Sequence, residues 1–64
     1  MELVDARKKE RYTQQQVADL LGVSRPTYAR MEQNPGDVSV EDAKRLADIF
    51  RVDVRDIFFP DNNS

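Results

Sequence analysis

Cysteine and histidine are both missing from the 64 residues. Without cysteine no disulfide can staple the chain, and without either residue no zinc-type site of nitrogen and sulfur ligands can form. Catalysis would have to rest on carboxylates, lysine or tyrosine in a domain too small to enclose a substantial pocket, so the chain reads as no enzyme and as needing no cofactor. No apolar run approaches the ~20 residues of a membrane span. The opening Met1-Glu2-Leu3-Val4-Asp5 has neither the basic region nor the apolar stretch of a signal peptide. The expected setting is a reducing cytoplasm, away from any membrane. A chain of this length makes one domain, burying roughly 60% of its unfolded surface, and it must stand on its apolar core or on association.

What is present is helical periodicity. The chain divides into five helical segments and no strand, which predicts an all-α fold. The first helix is expected over about Glu2 to Arg11, burying Leu3, Ala6 and the aliphatic stem of Arg7 and leaving Lys8, Lys9 and Arg11 as a solvated face. Thr13 and Gln16 read as a capping box that opens the second. Asn34, pushed out of the α region by Pro35, ends the third helix near Gln33, and Pro35-Gly36 makes the turn. Ser39 with Asp42 opens a fourth whose core face is Val40, Ala43, Leu46, Ala47 and Phe50. Asp53 caps a last short helix with Val54, Ile57 and Phe58 as its apolar positions. The domain is expected over residues 1–60, with a polar tail at 61–64.

From Thr13 to Glu32 the sequence reads TQQQVADLLGVSRPTYARME, two short amphipathic segments joined at a glycine. Val17, Leu20 and Leu21 fall at i, i+3, i+4 and make one apolar stripe. Gly22 follows where a left-handed backbone is needed, and only glycine takes that without a Cβ penalty. Val23 tucks the turn into the core, and Ser24 is the N-cap candidate for the next helix. Tyr28 and Met31 then point inward, the tyrosine with its hydroxyl at the rim. Outward remain Arg25, Thr27, Ala29 and Arg30. This is the layout of a helix-turn-helix, whose second helix is built to enter the DNA major groove.

The joint pattern of Thr13-Gln14, Leu21-Gly22-Val23-Ser24 and Met31-Glu32, with Ser39-Val40, Leu46-Ala47, Val52 and Asp56-Ile57 downstream, resembles the phage repressor and Cro family, the xenobiotic-response-element (XRE) type. The resemblance covers nearly the whole chain. It implies a compact five-helix, lambda-repressor-like domain with the helix-turn-helix at its second and third helices. It also implies a bacterial or phage-encoded transcriptional regulator that lies on the nucleoid when bound to double-stranded DNA. Family members mostly bind operators as dimers, so a homodimeric repressor on a palindromic operator, reading through the helix at 25–33, is the implied function. Position by position, Gln14 matches a glutamine that holds a phosphate, and Gln33 and Asn34 match a second phosphate site. Arg25, Pro26, Thr27 and Arg30 match base-facing positions, and Arg7 with Glu32 matches a structural ion pair. A guanidinium reads guanine O6 and N7 as a bidentate pair, so G-containing half-sites are expected.

Three features modify that picture. The net charge is −2, with six basic and four acidic side chains through Met31 and four basic and eight acidic after it. The first half is therefore the side that DNA would meet. The acidic second half supports an alternative, an antitoxin-type or protein-interaction module of the same fold that binds a protein partner there. Pro26 disfavours α geometry at Arg25, so the reading helix is expected one residue late, with Arg25 as cap and Pro26 as first residue. Finally, Ile57, Phe58 and Phe59 cannot all enter one small core from a helix turning about 100° per residue. Phe58 and Phe59 are therefore expected at a dimer interface.

Overall fold

The computed structural model describes residues 1–58. Five helices follow one another: α1 (Leu3–Lys9), α2 (Gln14–Leu21), α3 (Arg25–Gln33), α4 (Val40–Phe50) and α5 (Val54–Phe58), with a 3₁₀ turn at Pro35–Asp37 between α3 and α4. There is no strand among the described residues. The architecture is the all-α, five-helix one expected from the periodicity, while the end of the domain and the polar tail lie outside the described residues.

Local chemistry explains where the helices begin. At α2 the Gln16 N–H donates to Thr13 Oγ1 at 3.0 Å and the Thr13 N–H donates to Gln16 Oε1 at 2.8 Å, a complete capping box. Single caps open the next helices: the Thr27 N–H donates to Ser24 Oγ at 3.3 Å and the Asp42 N–H to Ser39 Oγ at 3.1 Å. At α5 the Arg55 N–H and guanidinium both donate to the Asp53 carboxylate, which holds that carboxyl down at about 2.

Three helices end by one device. Arg11, Gly22 and Arg51 take left-handed backbone at φ 63°, 84° and 61° after α1, α2 and α4. In each case the next N–H reaches back five residues into the helix: Tyr12 to Arg7 O at 3.2 Å, Val23 to Ala18 O at 3.0 Å, Val52 to Ala47 O at 3.0 Å. That residue is apolar and packs against the core, as a Schellman cap requires. Only the middle cap uses glycine. The two arginines bear the Cβ penalty that glycine avoids, about 1 to 2 kcal/mol each. Arg51→Gly is therefore expected to raise stability by about 0.5 to 1 kcal/mol, once glycine's looser unfolded chain is deducted. Gly22→Ala is expected to lower it by ~1 kcal/mol or more through backbone strain alone, since a Cβ there would meet nothing within 4 Å. Thermal melts of the two variants that move in the same direction would refute this account of the caps.

The core gathers Leu3 and Ala6 of α1, Val17, Ala18 and Leu21 of α2, Tyr28 of α3, Ala43, Leu46, Ala47 and Phe50 of α4, and Ile57 of α5, with Val23, Met31 and Phe58 packed against it in part. Two expected members are outside it. Leu20 is 55% exposed and Val40 61% exposed. On α2 the buried residues fall at i, i+1, i+4, so the stripe is centred between Ala18 and Val17 and turns Leu20 to its flank. Val40 is the first residue of α4, about one turn ahead of Ala43, the first residue that this helix buries. A third correction concerns depth. Tyr28 is 0% exposed and its hydroxyl is inside, not at the rim.

Candidate nucleic-acid interface

α3 lies on α2 through the Gly22 turn, burying Tyr28 and, in part, Met31. The opposite face is open. Arg25, Pro26 and Arg30 are exposed and Thr27 is half-buried. The helix starts at Arg25 with Ser24 as its cap, not one residue later. Proline only biases its predecessor, and here the Ser24 side chain holds the Thr27 N–H while the Ser24 carbonyl accepts from Tyr28 N–H at 3.0 Å. Pro26 sits in the first turn, where its missing N–H would have had no partner anyway. Thr27 is tied to the helix start, where the Ser24 hydroxyl donates to its Oγ1 at 3.0 Å. The Arg30 side chain makes no ion pair or hydrogen bond among the described residues, and the residue is exposed on the outer face with its guanidinium uncommitted.

Behind that face runs a polar chain that ties three helices. Arg7 of α1 donates through Nε to Glu32 Oε2 at 2.6 Å and through Nη2 to Oε1 at 3.4 Å, with both side chains nearly buried. Its Nη1 donates to the Tyr12 carbonyl at 3.0 Å. Gln14 of α2 donates through Nε2 to Glu32 Oε1 at 3.0 Å, and its Oε1 accepts from Arg25 Nη1 at 3.2 Å. The expected Arg7–Glu32 pair is thus present in bidentate geometry. The links from Gln14 to both Glu32 and Arg25 were not visible in the sequence, because residues 18 and 11 positions apart share no local period.

Electrostatics follow from burial and donors together. Burial pushes the Glu32 carboxyl up, but its hydrogen bonds, Arg7 foremost, outweigh that and leave it below its ordinary value. The bond to Glu32 raises the Arg7 guanidinium further above its ordinary range. Burial, then the neighbouring Glu32, holds the Tyr28 phenol far above its usual range. The phenol oxygen is near both partners of the clamp, yet it meets hydrogen-bond geometry with neither.

The residues expected to hold phosphate lie at the two ends of α3's open face. The backbone N–H groups of Gln14 and Gln15 at the start of α2 have no partner among the described residues, because the capping box uses those of Thr13 and Gln16. Gln33 and Asn34, at the other end of α3, are both exposed. A groove of about 340 Å³ runs beside α3, and in it Thr27 and Arg30 share walls with Asp37 and Asp42. No basic residue lines that groove except Arg30. Of the two aromatics expected at a dimer contact, Phe58 is half-buried and packs in part against the core, and Phe59 lies outside the described residues.

A family model described as helix-turn-helix matches residues 3–57, which spans all five helices. No curated protein and no solved structure is a significant match to the chain.

Proposed function

The chain belongs to the helix-turn-helix family, of the XRE type that binds double-stranded DNA, and on that premise we propose that it is a sequence-specific transcriptional repressor of the phage repressor and Cro kind. It acts by occupancy. The observation that carries the reading is the uncommitted Arg30 on the open face of α3, flanked at one end by Gln14 and the free N–H groups of α2 and at the other by Gln33 and Asn34. In the major groove Arg30 reads a base edge, guanine by chemical preference, while the glutamines hold backbone phosphates and set the register. Arg25 reaches the same groove through its bond to Gln14, which couples a phosphate contact to a base contact. Asp37 and Asp42 repel phosphate next to Arg30, so the domain gains little from non-specific attraction and depends on base reading for its affinity. Selection of bound duplexes from a random pool by gel shift tests this. A recurrent half-site containing G supports it, and a pool that never enriches sinks it.

The operator would be palindromic and the protein a homodimer. A two-fold axis sets two copies of α3 about 34 Å apart, one DNA turn, and the apolar end at Phe58 and Phe59 supplies a self-complementary contact. Phe59→Glu is then expected to give a folded monomer that holds a single half-site weakly and loses the full operator. Sedimentation of the unmodified chain decides the matter first. A monomer at tens of micromolar, or a Phe59→Glu variant that unfolds instead of dissociating, places the dimer contact elsewhere.

A further inference from the structure

Tyr28 is the largest side chain buried outright among the described residues, and its hydroxyl is inaccessible and has no hydrogen-bond partner among them. A buried hydroxyl without a partner costs stability that phenylalanine at the same place would retain. Its position offers a use. Tyr28 and Glu32 stand at i, i+4 on α3, neighbours on one face, with the glutamate leaning back toward the start of the helix. The Glu32 carboxylate is occupied already, by Arg7 on both oxygens and by Gln14 Nε2 on Oε1. Of these donors Gln14 is the one at the proposed DNA face, and its amide nitrogen is the group a phosphate would claim. An amide that served phosphate and Glu32 together would hold two anions about 5 Å apart by ordinary hydrogen-bond geometry, where they repel.

We propose that Tyr28 is a stand-by donor to Glu32 and so a positioning residue for DNA binding: when a phosphate draws the Gln14 amide away, the Tyr28 hydroxyl turns to the carboxylate and keeps it satisfied. The hand-over asks the O–H to rotate and the Glu32 side chain, whose terminal torsion is broad, to move until a carboxylate oxygen meets the phenol. The free domain carries the unpaired hydroxyl, and the bound domain uses it. Releasing Gln14 then leaves no buried acceptor short of a donor. This rests on the proposed DNA-binding role, but its first consequence is measurable without DNA.

The test is a cycle of Tyr28→Phe and Gln14→Ala, each alone and together, read by thermal melting and by titration onto the selected operator and onto a random duplex. With Gln14 in place, Tyr28→Phe should leave the melting temperature unchanged or raise it. With Gln14→Ala, where Tyr28 already serves Glu32, the same replacement should lower it by several degrees. On DNA, Tyr28→Phe should weaken both duplexes alike by about tenfold, the loss of one hydrogen bond to a charged group. In the Gln14→Ala background it should cost nothing further, because no amide is left to release. Equal melting shifts in the two backgrounds would overturn the shared carboxylate. A Tyr28→Phe chain that binds as tightly as a wild type that does bind would overturn the hand-over. A wild type that binds neither duplex would instead remove the DNA-binding role, and the melting cycle would still decide who shares Glu32.

Discussion

Glu32→Ala is expected to lower the melting temperature by about 10 to 20 °C, because one carboxylate holds α1, α2 and α3 together. Its removal leaves the Arg7 guanidinium, 12% exposed, without a counter-charge, and frees the Gln14 amide that steadies Arg25. Breaking a fully buried pair from one side costs ~3 to 5 kcal/mol. This pair keeps a little contact with water, so about 2 to 4 kcal/mol is the fair expectation, equivalent to those degrees in a domain this small. Lys9→Ala is the control: its ion pair to Glu10 spans 3.6 Å with the lysine 49% exposed, and a change within about 0.5 kcal/mol is expected. The pH dependence has a definite sign. The folded Glu32 titrates below its ordinary value of 4.5, so its contribution is complete above that value and is lost as the pH falls through the folded one. Asp53, held at about 2 by Arg55, adds to the same acid limb. Melting curves should therefore decline steeply on acidification in the wild type and less so in Glu32→Gln, which starts lower. Coincident melts of Glu32→Ala and Lys9→Ala would show that the clamp stabilises nothing.

How much of this was legible beforehand depends on the range of the interaction. Thr13 with Gln16, Gly22, Ser24, Ser39 and Asp53 act within one turn of chain, and each takes the role that its side chain announces. Signals with a period of 3.6 residues locate a face only to within a flank. That is why Leu20 was assigned to a stripe that in fact holds Ala18, and Val40 to a face that begins one turn later. Arg11 and Arg51 were beyond reach for another reason: nothing in an arginine marks a left-handed cap, and the conformation is imposed by Tyr12 and Val52 docking on the core. Pro26 biases Arg25 away from the α region only weakly, and in the folded chain the Ser24 cap and the Gly22 turn outweigh that bias. The polar chain through Gln14 joins residues that only the packed helices bring together. The Arg7–Glu32 pair was expected only through family likeness, and the geometry then supplied its two further partners.

Arg30→Ala is expected to abolish operator preference at one base pair in each half-site, at a cost of about 1 to 3 kcal/mol per subunit and therefore roughly 2 to 6 kcal/mol for a dimer. Availability singles out Arg30. Arg25 is held by Gln14 and Thr27 is bonded to Ser24, whereas Arg30 has no partner among the described residues to give up before it meets a base. Its neighbours sharpen the effect. With Asp37 and Asp42 lining the same groove, the loss of the one guanidinium there leaves a net repulsion toward the backbone, so binding to random DNA should fall too, but by less. Gln14→Ala should behave otherwise, weakening operator and random duplex by similar factors, since a phosphate contact carries no sequence information. It should also lower specificity slightly through Arg25, which loses its tether. The two variants thus form a pair whose difference matters more than either loss. Titrations at matched salt would give a large change in the ratio of operator to random affinity for Arg30→Ala and a small one for Gln14→Ala. If the ratios move equally, Arg30 holds a phosphate, and the base reading must be sought at Arg25, whose bond to Gln14 would then be the contact that aims it.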